Sequence, residues 1–260
     1  MSRRDSSVAH NNWPGRWLTP AVAALQFLTL APPIIRRMFT ASEMGQAVGY
    51  FSLIGALLGA LLALLDRGLM FVFPASIATV LVLAASTAVT GALHLDGFLD
   101  ACDGLFGGYT AERRLEIMHD ERVGAFGLAG GVLLLLLKWS ALSVVSHRAV
   151  VLVLALTLSR WTISLAIATA PYARENGLGR ALKDHAGRGQ VVWATLIATG
   201  VTLIVGRGAG LIAMLASILV AGLVVRLVLL KIPGLTGDVY GALSEVVEAT
   251  VLLVYVGLGQ

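Results

Sequence analysis

The chain has 260 residues, of which 57% are hydrophobic and only 13% charged, and its mean hydropathy is +0.85. Soluble domains carry about twice that share of charge, so the composition excludes a water-soluble globule, and its hydrophobicity excludes disorder. A single cysteine, Cys102, excludes a disulfide framework, and a net charge of +4 is too slight to point to nucleic acid.

Residues 1–16 read as a polar tail with Arg3, Arg4 and Arg16, lacking the apolar core and cleavage site of a signal peptide. Residues 17–44 read as an interfacial or re-entrant segment. Its apolar stretch Trp17–Ile35 is interrupted by Pro20 and Pro32-Pro33, which favour ending a helix. Uncharged runs at 45–65 and 69–93 follow, each long enough to cross a bilayer.

The next segment, His94-Leu-Asp96-Gly-Phe-Leu-Asp100-Ala-Cys-Asp103-Gly104, is the most informative. Asp96, Asp100 and Asp103 stand at i, i+4 and i+7, on one face of a helix, where like charges repel. A divalent cation would neutralise them, and carboxylate-only ligands suit Mg²⁺ or Mn²⁺. In the stretch 113–124, Asp120 is placed to complete that set, and the arginines, Arg122 among them, to hold phosphate oxygens in bidentate fashion.

Spans at 123–146 and 149–170 contain one charge each, Lys138 and Arg160. The loop after them pairs Gly177 and Gly179 with Arg174 and Arg180, a candidate anion cradle. A short pair of uncharged spans at 191–206 and 208–225 is hinged by Gly206-Arg207-Gly208. A Gly-rich loop containing Asp238 then leads into an apolar tail, 239–259. Its Glu245 and Glu248, spaced i, i+3, should point into the protein rather than at lipid.

With the N-terminus cytoplasmic, the inner segments 1–44, 94–122, 171–190 and 226–238 hold fourteen Lys and Arg against three outside, Arg67, Arg148 and Arg207. That asymmetry sets the orientation. Of the 15 acidic residues only Asp66 falls outside. The expectation is an all-α, polytopic integral membrane protein. It has six to seven transmembrane helices in a single domain over 1–260, with its active site on the cytoplasmic face.

These motifs, in this order, resemble the cobalamin synthase family, the adenosylcobinamide-GDP ribazoletransferases. The resemblance rests on Phe27-Leu-Thr-Leu-Ala-Pro32, the His94–Gly104 segment and Leu115-Glu-Ile-Met118-x-Asp120-x-Arg122-x-Gly124. It continues in Ser159-Arg160, Tyr172-Ala-Arg174-Glu-x-Gly177-Leu-Gly179 and Thr236-Gly-Asp238-x-x-Gly241 with Glu245 and Glu248. The chain departs from the family's usual residues at Leu30, His119 and Glu121.

The resemblance implies a bacterial inner-membrane enzyme that joins α-ribazole, or its 5′-phosphate, to adenosylcobinamide-GDP and releases GMP, with Mg²⁺ as cofactor. It implies metal ligands at Asp96, Asp100, Asp103 and Asp120, with Asp103 or Asp120 as general base. Substrate contacts would come from His94, Arg122, Arg160, Arg174, Arg180, Asp238, Glu245 and Glu248. The expected partners are the two substrates and membrane lipid, with a homo-oligomer allowed and nucleic acid excluded. Two competing readings are a CDP-alcohol-type membrane phosphotransferase and a cation-coupled transporter. The first fails the Asp-Gly-x-x-Ala-Arg pattern at Asp96-Gly97-Phe-Leu-Asp100-Ala101, and the second lacks inverted repeats.

Overall fold

The computed structural model describes residues 18–260, so the readings placed on the N-terminal tail and Trp17 lie outside the described residues. Among the described residues the chain is helical, and its extended pairing is one isolated bridge between Tyr172 and Leu235.

The first helix, α1 (Thr19–Leu28), has 10 residues. That is about 15 Å of rise, too short to cross a bilayer. Pro20 stands in its first turn, where a missing N–H leaves no bond unmade, so it opens the helix and does not interrupt it. Helix α2 (Ala41–Ala47) begins at a capping box: Thr40 Oγ accepts from the Glu43 amide, and the Glu43 carboxylate accepts from the Thr40 amide. A single 3₁₀ turn carries it into α3 (Phe51–Leu69).

Helix α4 (Ala75–Val89) starts behind Pro74. The uncharged run 69–93 is therefore not one continuous helix. The chain turns at 70–74, and α4 stops at Val89, after which Gly91 and Ala92 adopt φ of 60° and 58°. Glycine takes that left-handed conformation freely and alanine does not, so surrounding packing holds the break. The chain leaves it bent by 89° as α5 (Leu93–Gly107). A short α6 (Ala111–Ile117) precedes α7 (Ala125–Val144), α8 (Arg148–Thr169) and α9 (Leu178–His185). Then come α10 (Arg188–Val201), α11 (Arg207–Leu229) and α12 (Gly237–Gly257).

Five helical stretches are long and apolar enough to cross a membrane, or six if the bent α4–α5 pair is one span. One of them, Arg188–Leu229, runs for 42 residues, about twice what a bilayer core needs. A Cβ added at Gly210 would lie 2.9 Å from the Thr202 carbonyl oxygen. Eight residues of straight helix would carry the chain about 12 Å along its axis, so the chain has reversed. The reversal uses a π-turn at Thr202–Gly206 and Arg207 at φ 50°, and it makes α10 and α11 separate passes.

Helix α8 is the axis of the bundle: 83% of its apolar window is buried, against 22% for Arg188–Leu229. The outer helices turn residues such as Leu133, Ile204 and Leu219 away from the protein, as a bilayer requires. Gly55 and Gly59 let α3 lie directly on α8, since a Cβ at either would strike the Leu156 or Leu152 carbonyl. At the end opposite the acidic motif, Arg148 Nη2 meets buried Asp66 at 2.5 Å and also donates to Thr79 Oγ at 3.0 Å. This clasp ties α3, α4 and α8 together and accounts for the lone acidic residue of that end.

Candidate active site

Bent by 89° from α4, α5 packs against α12 and α7. It is held from two sides. At α12, Gly97 faces Gly241: a Cβ on Gly97 would lie 2.9 Å from the Asp238 carbonyl oxygen, and one on Gly241 2.9 Å from that of His94. At α7, the Asp103 carboxylate accepts the amides of Gly124 at 2.7 Å and Gly127 at 2.8 Å. It thereby caps the N-terminus of a neighbouring helix, where backbone donors and the helix dipole favour an anion.

The other aspartates behave differently. Among the described residues Asp96 and Asp100 accept no hydrogen bond from a side chain or loop amide. Asp238, at the start of α12, comes to the same face of α5 although 138 positions separate it from Asp100. Partial burial, followed by the charges of Asp96, Asp238 and Asp103, pushes the Asp100 carboxyl up to about 7 against the pull of Arg174. This is a site short of positive charge. Asp120 is not part of it: it lies exposed on the 118–124 loop, bound at 3.0 and 2.9 Å by Arg122.

Two loops frame the cluster. Ala173 donates its amide to the Leu235 carbonyl and Leu235 donates to that of Pro171, both at 2.8 Å. This pairing stacks Tyr172 on Tyr240 at 6.1 Å and sets Arg174 Nη2 2.9 Å from Asp238 Oδ2. Thr236 caps α12 and donates to the same Asp238 oxygen at 3.1 Å. Arg180 is spent on an exposed pair with Asp184 one turn away. Between α1, α3, α5, α8, α9 and α12 opens a cleft of about 210 Å³. Asp96, Asp238 and His94 line it, together with Phe27, Phe51 and Tyr240 among its ring and aliphatic surfaces. Sequence reasoning did not single out Phe51 or Tyr240, since nothing local marks an aromatic in a span as cleft-facing.

Behind His94 lies a second set of charges, inside the bundle. Lys138 donates to Glu245 at 2.5 Å and to Glu248 at 2.7 Å. Glu248 also accepts from Arg160, which donates to Ser244 Oγ at 3.1 Å and places Nη2 3.4 Å from His94 Nδ1. All six side chains are buried. Arg160, Glu245, Glu248 and Lys138 together border a space of about 20 Å³, room for about one water, and do not line the cleft.

Among the described residues no three His, Cys, Asp or Glu side chains converge closely enough to cage a metal. Mg²⁺ does not require a cage, because it takes one or two carboxylates and fills its shell with water and phosphate oxygens. The hard, all-oxygen donor set of Asp96, Asp100 and Asp238, with the Asp100 carboxyl driven towards neutrality by burial and then by its acidic neighbours, fits such an ion.

Comparison with known proteins bears on the whole chain. The family described as cobalamin-5-phosphate synthase matches residues 20–256. A protein of Desulforamulus reducens named adenosylcobinamide-GDP ribazoletransferase is 37% identical over 240 residues, covering 91% of this chain and 95% of the relative. Proteins of the same name from Pseudomonas aeruginosa and Syntrophobacter fumaroxidans are 38% and 39% identical. They cover 91% and 88% of this chain and 97% and 94% of their own lengths. No solved structure matches the chain.

Proposed function

The chain belongs to the cobalamin-5-phosphate synthase family, and from that premise we propose that it is an adenosylcobinamide-GDP ribazoletransferase. It joins α-ribazole, or its 5′-phosphate, to adenosylcobinamide-GDP and releases GMP. The observation that carries this reading to a site is the gathering of Asp96, Asp100 and Asp238 beside Arg174 at one end of the bundle. The fourteen-to-three bias of basic residues supports a cytoplasmic orientation for that end, in what we take to be a bacterial inner membrane.

Asp96 and Asp100, one helical turn apart and free of internal partners, would hold Mg²⁺ with Asp238 facing them. The ion, when bound, supplies charge neutralisation for the pyrophosphate and the departing GMP. Arg174 can exchange its bond to Asp238 for a phosphate oxygen, with the Met118 carbonyl at 3.4 Å steadying the guanidinium. A ribose hydroxyl that α-ribazole and its 5′-phosphate share loses its proton as it attacks the donor phosphorus and GMP departs. Asp96 and Asp238, the two carboxylates lining the cleft, are the groups of this chain placed to receive it. Asp103 fixes α5 against α7, and the buried Lys138 network fixes His94. Neither assignment asks these residues to touch substrate.

Purified protein in detergent or liposomes, given adenosylcobinamide-GDP, α-ribazole and Mg²⁺, should form adenosylcobalamin and GMP in equal amounts. Chelation should stop both products together. Release of CMP from a lipid donor, or cation-dependent solute movement without GMP, would replace this reading with one of its rivals.

A further inference from the structure

His94 belongs to both halves of the site. It lines the cleft beside Asp96 and Asp238, and its other edge meets the buried charge network. The two ring nitrogens have different surroundings. Arg160 Nη2 lies 3.4 Å from Nδ1. Nε2 bonds to no described residue, yet it is not one of the six partnerless side-chain atoms sealed from solvent. His94 is only 3% exposed and lines the cleft, so its open nitrogen is met from there.

Arg160 decides where the proton of that ring sits. A guanidinium donates and never accepts, so Nδ1 must supply the lone pair, and the proton of the neutral imidazole goes to Nε2. The arginine has little freedom to do otherwise. Its Nη1 donates to Ser159 Oγ at 2.8 Å, to Ser244 Oγ at 3.1 Å and to Glu248, whose carboxylate is itself held by Lys138 at 2.7 Å. Groups on α7, α8 and α12 thereby fix one hydrogen bond to a ring on α5. A histidine beside carboxylates can serve as general base, as metal ligand or as hydrogen-bond donor. The first two uses need a lone pair at the open nitrogen, and here the lone pair is turned inward. Only the donor remains.

Building on the transferase reading, we propose that Arg160 is a positioning residue that locks His94 in its Nε2–H tautomer, and that His94 donates this bond to a phosphate oxygen of the bound pyrophosphate. Phosphate oxygens only accept, which suits a donor nitrogen. A neutral N–H also adds no positive charge that would compete with a cation for Asp96 and Asp238. The buried network therefore reaches the reaction through a single ring, without touching substrate itself.

The test has a spectroscopic and a kinetic arm, both on the full chain. Two-bond ¹⁵N–¹H correlation spectra of histidine-labelled protein, with His94 assigned by its disappearance in His94→Gln, should show the proton on Nε2 and a bare Nδ1. In Arg160→Lys, which keeps the charge and withdraws the second donor, the two tautomers should mix. Turnover should follow. His94→Asn, whose amide reaches only as far as Nδ1, should lose about ten- to hundredfold, the scale of one hydrogen bond to a charged group. His94→Gln, whose amide nitrogen reaches the Nε2 position, should lose about threefold, a partial loss of the same bond. Arg160→Lys should cost about three- to tenfold in wild type, and that cost should largely vanish in the His94→Gln background, where no tautomer has to be set. A proton on Nδ1, equal losses in His94→Gln and His94→Asn, or an Arg160→Lys cost that simply adds to that of His94→Gln would each overturn the proposal. The wild-type spectrum and the His94 pair leave the network intact, so they decide the matter even if Arg160→Lys fails to fold. Absence of GMP release from wild type would overturn the transferase reading and the phosphate contact with it, whereas the tautomer is read without turnover.

Discussion

Two groups of charged side chains lie within reach of His94, and they are built on opposite terms. Inside the bundle, Lys138 and Arg160 face Glu245 and Glu248, cation for anion, all buried and bonded to one another. At the end of the bundle, Asp96, Asp100, Asp103 and Asp238 face a single arginine, Arg174, and two of the aspartates take no partner from the described residues. The first set closes its own ledger of charge; the second is left anionic. Residue type alone would not separate them, since both are charged groups at a membrane protein's helices. Compensation does: a neutral, saturated network holds helices together, whereas an uncompensated one is arranged around something that arrives.

The sharpest way to break the comparison is Asp100→Asn. It should lower turnover by roughly a thousandfold, since it removes an anion from the proposed metal site, worth several kcal/mol. The apparent melting temperature should hold or rise because a repulsion is relieved. Assay of GMP release beside a thermal scan checks both. Glu248→Gln should act the other way. Leaving Lys138 and Arg160 under-compensated inside the bundle should cost about 3–5 kcal/mol, seen as a lowered melting temperature. A paired Lys138→Met and Glu245→Met variant should lose less than the sum of its single changes, because neutrality is restored. If Asp100→Asn unfolded the protein while Glu248→Gln left it standing, the two roles would have to be exchanged.

A smaller effect sharpens the same contrast. The Asp100 carboxyl sits at about 7 in the folded chain, above the usual value near 4. Between those values the folded protein holds a proton that the unfolded chain has given up. The resulting stability is therefore fully present below about pH 4 and lost as pH rises through about 7. Metal-free wild type should lose melting temperature across that window more steeply than Asp100→Asn, and a thermal scan at several pH values measures the difference.

How far the sequence could be read follows from the range of each interaction. The i, i+4, i+7 spacing of Asp96, Asp100 and Asp103 is local, and the helix that carries it is where periodicity put it. The hinge at Gly206-Arg207-Gly208 was legible because glycine and an isolated charge interrupt an apolar run. The break after Val89 was not: the run continues without a charge, and the left-handed Ala92 is imposed by packing. Asp238 joining α5, Lys138 meeting Glu245 and Glu248, and Tyr240 facing the cleft all depend on partners roughly a hundred positions or more away. No local signal carries such information. Asp103 is the instructive intermediate. Its spacing matched its neighbours, but Gly124 and Gly127 claim both of its oxygens, and only the tertiary structure reveals that.

The crossing of α5 and α12 at Gly97 and Gly241 works as a gauge block. The gap between Asp96 on one helix and Asp238 on the other is set where main chain rests on main chain. Side chains elsewhere can change rotamer without altering it. A methyl group added at either glycine would act as a wedge, prising the two helices apart by a fixed increment and widening the slot for every occupant alike. The span between the opposed carboxylates is therefore calibrated by two absent side chains, at a main-chain contact that itself borders the cleft.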